Sequence, residues 1–278
     1  MTIGTALVQG KKLLEDDAIA ASRLTAEVLL AHALGCDRVY LYANPEQELR
    51  EVEWLHYGRY LHERLEGKPA QYITRRQEFY GREFIVSPAV LIPRPETEHV
   101  IEAVGQALSP AQIVDVGCGS GAIAVTLSLE VGTQVCATDV SHDALAVARD
   151  NARRLGADVQ FVVCDLLSAL ASASFDVVVS NPPYVPRDEI AALQREVRDW
   201  EPHVALDGGP EGCDIYARLI RDASRVLKPG GRLIVELGYR SLDPVSAMLD
   251  SRWREITITR DLAGIPRVLS CTLESHRE

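Results

Sequence analysis

The apolar positions of this chain change their period once. Up to about residue 70 they recur at helical spacing. Leu24, Val28 and Ala31 line one stretch between Ser22 and Gly35, and Val52, Leu55, Leu61 and Leu65 line a second between Leu49 and Glu66. Such stripes predict helix-packing faces. Ser22 suits the start of the first helix and Gly35 its end, Asn44-Pro45 marks a break, and Gly67-Lys68-Pro69 stops the second. A small helical bundle is therefore expected over residues 1–72. It carries no cluster of catalytic residue types, so a docking or stabilising role suits it. Residues 77–86 then resemble two short strands about Gly81, a hairpin within a linker at 73–90.

From Gln112 onward, short apolar runs alternate with amphipathic stretches. Strands are predicted at 113–117, 135–139, 159–164, 175–179 and 233–237, and two more at 254–259 and 268–273. Helices are predicted at 122–129, 143–155, 188–198, 215–227 and 245–249. Alternation of this kind implies βαβ units and a parallel sheet. The fold class is α/β, a Rossmann-like sheet spanning residues 91–278.

In an open α/β sheet, ligands bind beyond the carboxyl ends of the strands. The loops at those positions carry the candidate chemistry. After the first strand comes Asp115-Val116-Gly117-Cys118-Gly119-Ser120-Gly121, whose glycines let a backbone approach a ligand closely. Asp139 ends the next strand, placed to accept two ribose hydroxyls. Asp165 and Leu166 follow the third strand. Asp165 could take an adenine amino group while Leu166 packs on the ring, or Asp165 could simply cap a helix. Gly117-x-Gly119-x-x-Ala122 also satisfies the weaker dinucleotide fingerprint. Two features favour S-adenosylmethionine. Asp115 beside the loop would repel a pyrophosphate but suits a methionine amino group, and a nicotinamide leaves the next motif without a task.

That motif is Ser180-Asn181-Pro182-Pro183-Tyr184, after the run Phe175 to Val179. Pro182 and Pro183 fix their own backbone angles and hold the preceding residue extended. Asn181 can then project its carboxamide into a cleft, with the Tyr184 ring beside it. An oriented amide next to an aromatic face suits a planar, nitrogen-bearing group. The plain alternative is a proline-rich turn with Asn as turn former. Leu91-Ile92-Pro93-Arg94-Pro95-Glu96-Thr97-Glu98 can likewise be a helix start with proline in its first turn, or part of a site.

Composition narrows the partners. The net charge of −11 opposes a broad, sequence-independent grip on nucleic acid. Arg75, Arg76, Arg82 and Arg94 are interleaved with Glu78, Glu83, Glu96 and Glu98, as on a solvated, self-paired face. None of the six cysteines falls in a C-x-x-C pair or beside a histidine at metal spacing, so no metal is expected. Cys136 and Cys164 sit within apolar strand-like runs. A reducing cytoplasm fits this usage. Neither a secretory signal nor an apolar run of about 18 residues is evident, so no membrane partner is expected.

Together, the glycine loop, the Asn-Pro-Pro-Tyr tetrad and the Leu91–Glu98 segment resemble one family along nearly the whole chain. It is the protein-(glutamine-N5) methyltransferases that modify peptide chain release factors. The tetrad alone is shared with adenine-N6 and guanine-N2 methyltransferases; its combination with Leu-Ile-Pro-Arg-Pro-Glu-Thr-Glu and a helical N-terminal domain is far more specific. Glu201-Pro202, Ala205-Leu206, Gly208-Gly209, Gly212, Asp214 and Tyr216 match the family's loop after the tetrad, and Arg260 to Gly264 with Arg267 match its C-terminal signature. The resemblance implies a seven-stranded, mostly parallel sheet with the last strand antiparallel. It also implies S-adenosylmethionine as cofactor and class 1 release factors as protein substrates. The cofactor is then expected on Asp115, Gly117, Cys118, Gly119, Ser120, Gly121, Asp139, Asp165, Leu166 and Asn181, catalysis on Asn181, Pro182 and Tyr184, and the substrate on Asn181, Pro182, Pro183 and Tyr184. Two positions depart from the pattern. Ser241 stands where the family often has Gln, after Glu236 and Gly238, and Leu166 where some members have Trp. The competing classes are a nucleic-acid amino-base methyltransferase, a non-catalytic cofactor-binding module and a nicotinamide oxidoreductase.

Overall fold

A computed structural model describes residues 1–105 and 111–274. In chain order the helical part holds α1 (Ile3–Asp16), α2 (Ser22–Leu34), α3 (Arg38–Ala43), α4 (Glu51–Leu65) and α5 (Ala70–Thr74). A hairpin follows, β1 (Arg76–Phe79) and β2 (Arg82–Ile85). Next come α6 (Glu98–Val104), β3 (Ile113–Val116), α7 (Ala122–Val131), β4 (Val135–Asp139), α8 (His142–Leu155), β5 (Val159–Val163) and β6 (Phe175–Ser180). The chain closes with α9 (Arg195–Trp200), α10 (Asp214–Val226), β7 (Leu227–Glu236), α11 (Leu242–Ala247), β8 (Trp253–Arg260) and β9 (Pro266–Leu273). Two compact units result, residues 1–76 with 194–200, and residues 77–193 with 201–278.

In the helical unit, Ile3, Leu14, Leu29, Leu30, Leu41, Tyr57 and Leu61 form the core. The expected packing stripes are rotated. Leu24, Val52 and Leu55 are exposed, whereas α4 buries Glu53, Tyr57, Leu61 and Arg64. Polar residues hid this face because each is paired. Glu53 accepts from the Arg50 backbone N–H at 2.8 Å and from its guanidinium at 2.7 Å, and Arg64 pairs with Glu196 on α9. On α2, buried Glu27 accepts from Arg23, Arg38 and the Tyr42 hydroxyl. Gly35 does end α2, at φ 69°. Ser22 does not cap it: Ala21 holds the N-cap in left-handed geometry without a side-chain bond, and Ser22 is the buried first residue. The single helix predicted at 188–198 is broken into a 3-10 turn at Arg187–Ala192 and α9, and α9 packs with the helical unit.

The second unit is a seven-stranded sheet of order β5-β4-β3-β6-β7-β9-β8. β5 through β7 are parallel, and β9 inserts antiparallel between β7 and β8. Val177 and Val179 pack on one face of β6 with Ile123, Val125 and Leu145; Val178 packs on the other with Leu219, Ala223 and Leu233. Central strands buried on both faces explain the unbroken apolar runs. Lys228-Pro229-Gly230-Gly231 bulges within β7, because Leu227 already pairs with Phe175 before Arg232 resumes pairing with Val177. The fold thus sets β3, β4 and β6 side by side with their carboxyl ends level.

Among the described residues, the buried Tyr57 hydroxyl in the helical core has no hydrogen-bond partner, and it presses on Gly10, where a Cβ would lie 1.9 Å from it. Replacing Tyr57 by Phe is expected to raise the stability of the protein by about 1 kcal/mol, since an unpaired buried hydroxyl is costly. Urea denaturation measures this, and a loss of stability would show that the hydroxyl has a partner in solution.

Candidate functional site

The glycine loop joins β3 to α7 in a tightly tied form. Gly117 and Cys118 both donate to the Thr138 carbonyl, at 2.8 and 2.9 Å, and Gly121 donates to the Cys118 carbonyl at 2.8 Å. Gly117, Gly119 and Gly121 take φ of 70°, 53° and 80°, which side chains resist. A Cβ on Gly117 or Gly119 would meet nothing within 4 Å, so bare backbone faces open space there. At Gly121 it would meet the Ala148 Cβ at 3.1 Å, so that glycine serves helix packing instead. Asp139 clamps the loop from β4: its two carboxylate oxygens accept from Gly119 at 2.9 Å and Ser141 at 2.8 Å. The carboxylate is half-exposed and keeps spare lone pairs.

Asp115 differs from expectation. It is fully buried, and Oδ2 accepts from the Ala124 N–H at 3.0 Å in the first turn of α7. It braces the helix start from beneath the loop and offers no surface to an ammonium group. Its other oxygen has no partner among the described residues. Burial, opposed by the Ala124 bond and aided by Asp139, pushes this carboxyl up to about 7. Cys118 is buried too, and desolvation first, then Asp115 and Asp139, raise its thiol, so it is a small loop residue. Ser120 is buried, and its carbonyl accepts from Asn151.

The tetrad stands at the end of β6. The Ser180 hydroxyl donates to the Val116 carbonyl at 2.7 Å, tying this end to β3. Asn181 Nδ2 donates to Thr97 Oγ1 at 3.1 Å, and Thr97 donates to Glu236 Oε2 at 2.6 Å. Among the described residues, nothing donates to the Asn181 carboxamide oxygen or to the Pro182 carbonyl. Pro182 is buried and Pro183 half-buried. The Tyr184 hydroxyl donates to Glu236 Oε1 at 3.4 Å. Glycines make room for this turn. A Cβ on Gly208 would lie 2.8 Å from Tyr184 Cα, on Gly212 2.5 Å from its carbonyl oxygen, and on Gly238 2.6 Å from its ring. Val185 donates to Leu206 and Gly208 to Val185, both at 2.9 Å, so the long loop is stitched to the tetrad.

Asp165 also departs from expectation. Its carboxylate pairs with Arg218 on α10, and its main-chain carbonyl, not its side chain, closes the next turn by accepting from Ser168 at 3.0 Å. Leu166 is left-handed, at φ 49°, and packs partly against the core. The Leu91–Glu98 segment starts a helix, and its Thr97 reaches Asn181. Pro95 opens a 3-10 turn ending at Thr97. Arg94 donates to Ile92 O at 2.7 Å and pairs with buried Glu201, while Glu96 pairs with Arg267 at 3.6 Å.

Three supporting residues escaped the sequence reasoning. Thr97 sat unnoticed in a charged segment. Glu236 was marked only as part of a family pattern; it is 2% exposed, and its carboxyl oxygens accept from Thr97 and Tyr184. Asn151, also fully buried, bonds both the Ser120 carbonyl and the backbone of Ile85 in β2, fixing the loop against the hairpin. An Asn within an amphipathic helix gave no distinguishing signal.

A family model described as PrmC N-terminal domain matches residues 5–74, and one described as Methyltransferase small domain matches residues 97–199. A release factor glutamine methyltransferase of Koribacter versatilis is 49% identical over 275 residues, covering 97% of this chain and 98% of that one. The enzyme of the same name from Moorella thermoacetica is 40% identical over 286 residues and covers 100% of both chains. That of Bacillus subtilis is 38% identical over 264 residues, with 91% and 92% covered. The chain belongs to the release factor glutamine methyltransferase family. Solved structures share its fold at low identity. A methyltransferase from Pyrococcus furiosus has TM-score 0.56 at 18% identity, covering 70% of this chain and 91% of that one. A T. thermophilus 16S rRNA N2 G1207 methyltransferase, solved with AdoMet and guanosine, has TM-score 0.52 at 18%, covering 72% and 50%. Membership makes the chain a methyltransferase enzyme of mixed α/β fold. No described helix is long and apolar enough to cross a membrane, and the described residues hold no group of three or more His, Cys, Asp or Glu able to bind a metal.

The raised Asp115 carboxyl has a consequence for stability. Between the ordinary aspartate value near 4 and about 7, the folded protein holds a proton that the unfolded chain has released. That contribution is full below the lower value and is lost as pH rises through the upper one. Asp115→Asn keeps an acceptor for Ala124 and cannot titrate. The ligand-free variant is expected to show a flatter dependence of thermal midpoint on pH across 4.5–8 than the parent, and an equal slope in both would remove Asp115 as its source.

Proposed function

We propose that this enzyme transfers the methyl group of S-adenosylmethionine to the side-chain amide nitrogen, N5, of the glutamine in the Gly-Gly-Gln motif of class 1 peptide chain release factors. The observation that carries the proposal is the pair of spare acceptors at the end of β6, the Asn181 carboxamide oxygen and the Pro182 carbonyl, beside a loop of exposed glycine backbone. A primary amide has two N–H groups, and two neighbouring acceptors can hold both.

The bare faces of Gly117 and Gly119 suit the close approach of a ligand backbone, and Asp139, already orienting the loop, has lone pairs left for two ribose hydroxyls. When bound, the cofactor supplies a methyl group already activated by a sulfonium. The protein must make an amide nitrogen nucleophilic, and that nitrogen's lone pair is delocalised into its carbonyl. Asn181 and Pro182 would fix its direction and favour loss of planarity as the new bond forms. Orientation of this sort can contribute up to roughly 7–11 kcal/mol. The same acceptors stabilise the positive charge that grows on nitrogen. The Tyr184 ring, held by Glu236 and set against Gly238, would pack on the substrate's amide plane. The cytoplasm, where release factors work, is the compartment this function requires.

Methylation of an amino-base in nucleic acid uses the same tetrad chemistry. Family membership and the net charge of −11 support the protein substrate instead. Mass spectrometry of a co-expressed release factor is expected to show one added methyl on the Gly-Gly-Gln glutamine, and an unmodified glutamine would reject the proposal. Asn181→Ala is expected to lower kcat by about 10²–10³-fold, as for loss of one preorganised hydrogen-bonding group, with cofactor affinity nearly unchanged. A near-normal rate would remove Asn181 from the chemistry. Asp139→Ala is expected to weaken cofactor binding at least about tenfold by calorimetry; unchanged affinity would count against the ribose contact.

A further inference from the structure

We infer that Glu236 is a positioning residue, which, acting through the Thr97 hydroxyl, dictates which end of the Asn181 carboxamide faces the substrate. The inference rests on Asn181 accepting from the substrate amide, as proposed above. Thr97 Oγ1 lies 2.6 Å from Glu236 Oε2 and 3.1 Å from Asn181 Nδ2. A hydroxyl has a single proton to donate. The shorter contact has the length of a charge-assisted O–H···O⁻ bond. An ionised carboxylate only accepts, so Thr97 spends its proton on Glu236 and can only accept from Asn181. The carboxamide must therefore turn its NH₂ inward, which leaves its oxygen, the end a substrate N–H needs, facing out. Reversing the polarity of this chain would present an NH₂ to another NH₂.

The environment places the carboxylate at the edge of ionisation. Burial, opposed by the Thr97 bond, raises Glu236 to about 7. Of the groups around it, Glu96 before α6 raises it further, while Tyr184 and Arg267 on β9 lower it. Glu96 and Arg267, which pair at 3.6 Å, carry opposite charges and so act in opposite directions. Burial first, and Glu236 next, raise the Tyr184 phenol, which stays a neutral donor. The Tyr216 hydroxyl donates to the main-chain carbonyl of Glu236, at 2.7 Å, and accepts from the Gly238 N–H at 3.2 Å. Protonation of Glu236 frees the Thr97 proton and lifts the constraint on Asn181. The active form is the ionised one, so kcat at saturating substrates rises with pH through neutrality.

The test uses the full chain, S-adenosylmethionine and a release factor. Glu236→Gln is expected to lower kcat about 10–100-fold, leave cofactor affinity within about twofold, and abolish the rise with pH. Thr97→Val, nearly isosteric, is expected to do the same, and Thr97→Ser to retain both rate and pH limb. A second readout needs no turnover. The side-chain NH₂ signals of Asn181, assigned by their loss in Asn181→Ala, are expected to titrate near neutrality in ¹⁵N spectra of the wild type and to shift, without titrating, in Thr97→Val. Normal kcat and an unchanged pH profile in Glu236→Gln would overturn the inference while the function stands. Absence of glutamine methylation by the wild type would reject the function, and the spectra would still decide the inference: signals that neither titrate nor respond to Thr97→Val overturn it.

Discussion

A carboxamide looks nearly the same from both ends, and its chemistry does not. At the end of β6 the chain holds one, Asn181, by its nitrogen alone, on the Thr97 hydroxyl at 3.1 Å. Everything around that contact restricts it. Pro182 and Pro183 remove backbone freedom after it, and Ser180 ties the strand end to β3 at 2.7 Å before it. The glycines at 208, 212 and 238 let the following turn come closer than any side chain would permit. An amide left loose would rotate and average its donor and acceptor ends; this one is framed on three sides.

The glycine loop is fixed by a different logic. Its open face requires bare backbone, so the restraints come from behind and beside it. Thr138 takes two of its N–H groups, Asp139 a third, and Asn151 its Ser120 carbonyl. Asp115 supports the first turn of α7 from below, at the cost of burying a carboxyl whose second oxygen is unpaired. The strut and the clamp thus face unlike surroundings. Asp139 is half in water and bonded through both oxygens, whereas Asp115 is sealed and driven toward neutrality.

Much of this was visible in the sequence where one residue type has one use. β-Branched apolar runs such as Val177-Val178-Val179 suit strands buried on both faces, and Gly117, Gly119 and Gly121 sit at backbone angles that side chains resist. What stayed hidden depends on pairing across distance. The buried face of α4 was missed because Glu53 and Arg64 look like surface residues until their partners are seen. The Thr97–Glu236 contact joins positions 139 residues apart, and no local pattern encodes it. Asp115 and Asp165 were assigned from their places beside strand ends and from their charge, which say which loop a carboxylate adjoins but not whether it faces ligand, helix or a neighbouring arginine.

The position of Glu236, one hydroxyl removed from Asn181, suits a reaction in which positive charge moves from sulfur to nitrogen. A carboxylate touching both would stabilise the starting sulfonium as well as the product ammonium-like nitrogen, and uniform stabilisation does not accelerate the step. Neutral acceptors at the nitrogen favour the later charge distribution selectively. They need a fixed direction to do so, and direction in a hydroxyl–amide chain is set by whichever member cannot donate. In this fold that member is an acid 2% exposed at the end of β7, next to the strand that carries the tetrad. The negative charge therefore orders the site without entering it.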